Sequence, residues 1–203
     1  MYDLVAGIYP ASTYFFHSKA HRAALELSGL ADGMRVLEIA TGSGEMFRRL
    51  VGSNGSGHTL GIDLSPRMAA KTQRRVRTEY PSVRTHCHAV NARHLPFRDE
   101  SFDAIFCCYL FELMGVEDTR GTLEEVRRVL RPKGMFTMIL VGQDSEPFNK
   151  IYQLAGSVIP SFWGRQVEAS MPATIQSLDF TIVGDQSSRQ SFYPSRVLCC
   201  RKE

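Results

Sequence analysis

An apolar run that breaks into a glycine pair constrains this chain more than any other stretch. It reads Val36-Leu37-Glu38-Ile39-Ala40-Thr41-Gly42-Ser43-Gly44, and a helical pattern (Glu45, Met46, Phe47, Leu50, Val51) follows directly. That succession predicts a buried strand, a tight turn and a helix start. Gly42 can take φ > 0, and Gly44 lets a ligand approach the backbone closely. The helix behind the turn points free N–H groups into it, which suits the polar part of a nucleotide-like ligand. A dinucleotide fingerprint wants a third glycine three residues after Gly44, and Phe47 stands there.

A second apolar stretch, Thr59-Leu60-Gly61-Ile62, ends at Asp63. An acidic residue closing the second strand can accept hydrogen bonds from both ribose hydroxyls, but it does not separate NAD from another adenosine cofactor. Three later stretches do. They are Asn91-Ala92 followed by Leu95-Pro96-Phe97, then Ser101-Phe102-Asp103-Ala104-Ile105, then Leu130-Arg131-Pro132-Lys133-Gly134. With the glycine turn and Asp63, in this order, the chain resembles the class I S-adenosylmethionine (SAM) methyltransferases, in particular the quinone-biosynthesis-like, "type 11" group. The resemblance covers residues 34–140 and fades toward both ends.

The resemblance implies roles. Ala40, Gly42 and Gly44 would shape the turn under the methionine portion, with Glu38 facing its ammonium group and Asp63 the ribose. Leu64, Asn91 and Ala92 would hold adenine, with Met68 packed against it or simply in the core. Asn91 stands where the family usually has aspartate, but its carbonyl oxygen can still accept from the adenine amino group. Tyr109 and Leu110 would border the methyl group. Glu112, where related sequences often carry histidine, is the candidate polar group near the acceptor, with a helix-start carboxylate as the structural alternative. Tyr2, in the leader, would fold over the pocket or pack on the surface. Tyr109, Glu112 and Tyr2 are thus the catalytic candidates.

The expected fold is α/β: a Rossmann-like, mostly parallel seven-stranded sheet with helices on both faces and an antiparallel last strand. Strands are expected at 35–40, 58–62, 83–90, 102–108, 135–141, 179–183 and 192–200. Helices are expected from Ser12 to Gly29, from Gly44, from Pro66 with Ser65 as N-cap, and over 117–130. At 203 residues one domain is the expectation. Residues 1–30 would form a helical cap, and 142–175 an apolar, aromatic-rich insertion on the acceptor side.

A net charge of +3 is too small to argue for nucleic acid. No stretch is long and apolar enough to span a membrane, and Met1-Tyr2-Asp3-Leu4 does not open a secretory signal. The five cysteines show no metal-ligand spacing and read as buried, reduced thiols of a cytoplasmic protein. His17 and His21 share a helix face; no further zinc ligand is evident, but either could line a pocket. The helix after Asp63 carries Arg67, Lys71, Arg74, Arg75 and Arg77. It reads as a solvated face or, more sharply, as a peripheral contact with anionic membrane.

Together these features point to SAM-dependent methyl transfer onto an apolar or lipid-like small acceptor, a quinone-type ring or a phospholipid amine. No covalent nucleophile is needed, because the sulfonium is already activated and alignment supplies much of the rate. The competing readings are a SAM-binding partner protein without catalysis and a nicotinamide-dependent oxidoreductase.

Overall fold

A computed structural model of the chain describes residues 9–142, 166–191 and 193–203, with side chains from residue 17 onward. The elements run α1 (Tyr9–Ser28), β1 (Arg35–Ile39), α2 (Glu45–Ser53), β2 (His58–Asp63), α3 (Pro66–Glu79), β3 (Thr85–Ala89) and β4 (Phe102–Cys108). A 3-10 turn (Phe111–Leu113) follows, then α4 (Val116–Val129), β5 (Leu130–Val141), α5 (Met171–Gln176), β6 (Phe180–Gln190) and β7 (Tyr193–Lys202).

The seven strands form one sheet in the order β3-β2-β1-β4-β5-β7-β6. β1 to β5 are parallel, and β7 runs antiparallel to both β5 and β6. The order reverses direction at β1, which pairs with β2 on one side and β4 on the other. A crevice opens outside the carboxyl ends of the strands at such a reversal. The expected fold class is the one observed.

Alternation along the central strands assigns each helix to a face. Leu37, Ile39, Ile105 and Cys107 point into a core with Leu123 and Val126 of α4 and Met171 and Ile175 of α5. Val36, Ala104 and Phe106 point the other way, against Ala20, Ala23 and Ala24 of α1 and Met46 and Leu50 of α2. Phe47, Val51 and Val76 join α2 to α3 in a third cluster. Each fully buried large apolar side chain contributes about 1.5–3 kcal/mol. Glu38 alternates with Leu37 and Ile39, so its carboxylate is carried toward the α1 and α2 side.

Several boundaries moved. α1 starts at Tyr9, ahead of Ser12, and ends at Gly29 with φ 64°. β5 begins at Leu130, directly after α4, so Arg131-Pro132-Lys133-Gly134 lies in the strand; the register shifts between Phe102 and Ala104 to accommodate it. β6 runs on to Gln190 through Ser187, Ser188 and Arg189, a polar stretch whose pairing with β7 no apolar alternation announces. Ser65 caps α3, accepting from the Met68 amide at 3.3 Å.

Most of the anticipated acceptor-side insertion, and Tyr2, lie outside the described residues. Its described end forms α5, whose Met171 and Ile175 are buried in the core. All five cysteines are free; Cys107, Cys199 and Cys200 are buried, while Cys87 and Cys108 are only partly so.

Candidate active site

At the carboxyl end of β1 the chain leaves the sheet through three left-handed residues: Ala40 (φ 61°), Gly42 (φ 49°) and Gly44 (φ 78°). A non-glycine residue in this region carries strain that its surroundings must hold in place. The hold comes from β2. The Thr41 amide donates to the Ile62 carbonyl at 3.0 Å, and the Gly42 amide donates to Asp63 Oδ2 at 2.8 Å. Asp63 Oδ1 accepts from the Ser65 amide at 2.9 Å. Burial lifts the Asp63 carboxyl above the usual carboxylate range, and these two N–H donors pull it the other way.

Gly44 also has a packing role. A Cβ there would lie 2.7 Å from Thr72 Oγ1 and 2.9 Å from Thr72 Cγ2. The missing side chain admits Thr72 of α3, whose hydroxyl donates to the Gly42 carbonyl at 3.3 Å. Arg75 braces the same turn, bonding the Ser43 carbonyl at 3.3 Å and Glu45 at 2.8 Å. Glu45 is also paired with Arg48 and Arg49. Arg75, read from sequence as part of a basic face, is thus committed to holding the turn.

A cleft of about 530 Å³ opens above this turn. That is the size of a small-molecule or cofactor site. Glu38, Ala40, Gly42 and Ser43 line it, with Asp63, Leu64 and Met68 from the end of β2 and the start of α3. Asn91 and Ala92 after β3, and Tyr109 and Leu110 after β4, line it as well; of the predicted cofactor residues, Gly44 does not. Glu38 is 1% exposed and its Oε2 has no hydrogen-bond partner. Burial and the nearby Asp63 push its carboxyl well above the usual range. An orphaned carboxylate aimed at a cleft fits a cationic ligand group, since pairing there relieves the desolvation cost. Oε2 is not tied to the amides of the turn.

The far wall is aromatic and apolar. Tyr109 is a second strained residue, at φ 54°. Its amide donates to the Ile139 carbonyl at 2.8 Å and its hydroxyl bonds Ser195 Oγ at 2.8 Å. Leu110, Leu113 and Met114 continue the wall. From α1, both His17 and His21 reach the cleft. The His17 ring lies 4.3 Å from that of Tyr109 and 4.9 Å from that of Tyr193. Burial lowers His17 to about 4 and His21 to about 3, so both imidazoles are neutral near pH 7.

Glu112 is not brought into the cleft. It is 3% exposed, and its Oε1 accepts from the Val141 amide at 2.7 Å. Sequence reasoning missed Tyr193 and Ser195, which reach Tyr109 from the far end of the chain with no local pattern to mark them. For the histidines, the four-residue spacing in α1 was the available signal. Among the described residues no cluster of three or more metal-ligating side chains occurs.

A family described as "Methyltransferase domain" matches residues 36–134, the span from β1 into β5 that builds the turn and the cleft floor. Over this span the chain is similar to the class I SAM-dependent methyltransferases. It is similar to the 2-phytyl-1,4-naphtoquinone methyltransferase of Trichormus variabilis, 31% identical over 137 residues, 65% of this chain and 59% of the relative. It is likewise similar to the ubiquinone/menaquinone biosynthesis C-methyltransferase UbiE of Shewanella oneidensis, 31% identical over 167 residues, 75% of this chain and 65% of the relative. The chain thus spans less than two thirds of the length of each. In fold, the chain matches the crystal structure of magnesium protoporphyrin IX methyltransferase (ChlM) from Synechocystis PCC 6803 with bound SAH. The TM-score is 0.73 at 16% identity, over 92% of this chain and 83% of that one. A nicotinamide fingerprint has no place here: Phe47, where its third glycine would stand, is fully buried between α2 and α3.

Proposed function

We propose that this domain transfers the methyl group of SAM to a quinone-type, apolar acceptor. The carrying observation is the split character of one cleft: orphaned and amide-bound carboxylates, Glu38 and Asp63, at the ends of β1 and β2, and an aromatic and apolar wall, Tyr109, Leu110, Leu113 and Met114, beyond β4. Glu38 would face the ammonium group and Asp63 the ribose. Leu64, Met68, Asn91 and Ala92 would hold adenine. The bound sulfonium supplies an already activated methyl group.

The chain's own contribution is placement and exclusion of water, and alignment of two reactants is worth roughly 7–11 kcal/mol of barrier. Ala40 and Tyr109, both in left-handed conformations, turn the chain outward at the two strand ends where the reacting groups would meet. Calorimetry with SAM, followed by SAH formation with reduced 2-phytyl-1,4-naphthoquinone and with phosphatidylethanolamine, tests this. SAM binding with turnover of the quinol and not the phospholipid is the expected result.

A second reading concerns where the acceptor is met. Leu64 and Val116 are 73% and 74% exposed. Arg67, Lys71 and Arg74, with Pro66 and Ala70, line a shallow depression on the neighbouring start of α3. A basic face beside exposed apolar side chains suits transient contact with an anionic bilayer, each cation contributing about 1 kcal/mol. Sedimentation with phosphatidylserine vesicles at low salt, lost at high salt, is the expected outcome; no binding at low salt removes this reading.

A further inference from the structure

The cleft holds a titratable group to which the reading above gives no role. His17 lines the cleft and packs against two tyrosine rings that also touch each other, 4.3 Å from Tyr109 and 4.9 Å from Tyr193 by ring centroids, with the two tyrosines 6.0 Å apart. We propose that His17 is the general base of the transfer, taking the proton of a phenolic or quinol hydroxyl as the acceptor attacks the methyl group. This rests on the methyl-transfer reading of the cleft.

Among the described residues, the candidates the sequence offered, and His21, are committed elsewhere. The Tyr109 hydroxyl is bonded to Ser195 Oγ at 2.8 Å, and burial holds it protonated. Glu38 and Asp63 sit at the cofactor end, on β1 and β2. Glu112 is buried against the Val141 amide, away from the cleft lining. His21, 6.2 Å from His17 on the same helix, is only 2% exposed and lies in the field of Glu45 and Arg49.

Among the described residues, His17 is faced by His21 from α1, by Tyr109 from the end of β4 and by Tyr193 from β7. Burial holds the Tyr109 hydroxyl protonated. The His17 ring is a free base near pH 7, pushed down by burial alone. A base must be unprotonated at the working pH and within reach of the proton it takes, and it is strongest when its own value lies near that pH. Burial therefore limits the strength of this imidazole, and its place in the cleft carries the assignment.

The step balances as follows. The acceptor O–H bond breaks, its proton passes to the imidazole, and the released pair makes the ring carbon nucleophilic. The carbon–methyl bond forms as the methyl–sulfur bond breaks, with that pair staying on sulfur. The hydrogen on the methylated carbon then leaves to solvent as the ring regains aromaticity, and the imidazolium returns its proton to oxygen. One proton is released per methyl transferred.

The test uses His17→Phe, which keeps an aromatic ring against both tyrosines, and His17→Gln, which keeps polarity without basicity. SAH formation from reduced 2-phytyl-1,4-naphthoquinone is followed from about pH 6 to about pH 8.5. The wild-type rate is expected to be nearly flat. Both variants are expected to fall about 10²- to 10⁴-fold near pH 7 and to climb about tenfold per pH unit as solvent hydroxide replaces the base. Their SAM affinity should stay within about twofold by calorimetry, because the cofactor contacts proposed above are made by other residues. A variant within about threefold of wild type, with the same flat profile, overturns the assignment while leaving the methyl-transfer reading intact. Wild-type protein that binds SAM yet forms no SAH from the quinol overturns the acceptor reading, and this inference with it.

Discussion

The backbone amide of Gly42 donates to the carboxylate of Asp63 at 2.8 Å, so the turn after β1 is held by the residue that closes β2. One side chain therefore does two jobs. It fixes the loop and borders the place where a ribose would lie. Asp63→Ala removes an acceptor from the Gly42 and Ser65 amides and a charge-assisted partner from the ligand. SAM binding is expected to weaken ten- to a hundredfold, from about 1.5–3 kcal/mol for a hydrogen bond to a charged group. Calorimetry on the folded variant measures it, and an unchanged Kd would remove Asp63 from the site.

The Gly44–Thr72 contact makes a stability prediction that separates shape from backbone strain. Gly44→Ala places a methyl group 2.7 Å from Thr72 Oγ1 at a residue with φ 78°. The clash and the left-handed conformation together should cost about 2–4 kcal/mol. Adding Thr72→Ala removes the clash and should return roughly half of the loss, leaving the backbone cost. Urea unfolding of the two single variants and the double variant gives the coupling. Full additivity would mean that Thr72 is not what Gly44 accommodates.

Much of the site was legible because it is local. The strand, turn and helix around Gly42, the acid at Asp63 and the cap at Ser65 are short-range patterns, each repeated in the structure at its expected place. What was not legible depends on distant chain segments. That Gly44 gives way to Thr72, 28 positions on, has no sequence signature. Tyr193 and Ser195 meet Tyr109 only because β7 inserts between β5 and β6. Glu112 looked like a cleft residue because it follows β4; the 3-10 turn Phe111–Leu113 carries it under β5 instead.

Asn54, just past the end of α2, is a fully buried hub. Its Oδ1 accepts from the Gly33 and Met34 amides at 2.9 and 3.0 Å. Its Nδ2 donates to the Met34 carbonyl at 2.9 Å and to Thr59 Oγ1 at 3.1 Å. Asn54→Ala strands these partners around a cavity, and each buried unsatisfied group costs about 1–3 kcal/mol. A loss of about 3–5 kcal/mol is expected, because relaxation recovers part of the sum. Chemical denaturation measures it; a loss under about 1 kcal/mol would show that the entry to β1 does not depend on this side chain.

Glu112 gives the pH dependence of the fold. Burial, opposed by the Val141 amide, raises its carboxyl from 4.5 to about 7. A folded value above the unfolded one means that the native state binds the proton more tightly. The stabilisation is complete below the unfolded value and is lost as pH rises through about 7. At pH 8 wild-type protein must keep an ion buried with Oε2 unpartnered, or give up the native contact. Glu112→Gln keeps an acceptor for the Val141 amide and cannot ionise. It should match wild type near pH 5 and exceed it by about 2–4 kcal/mol near pH 8, at 1.36 kcal/mol per unit. Glu38 is raised in the same direction, so the variant should retain part of the decline at higher pH. Urea unfolding at the two pH values reads the difference directly. Equal slopes for variant and wild type would show that Glu112 titrates alike in the folded and unfolded chain.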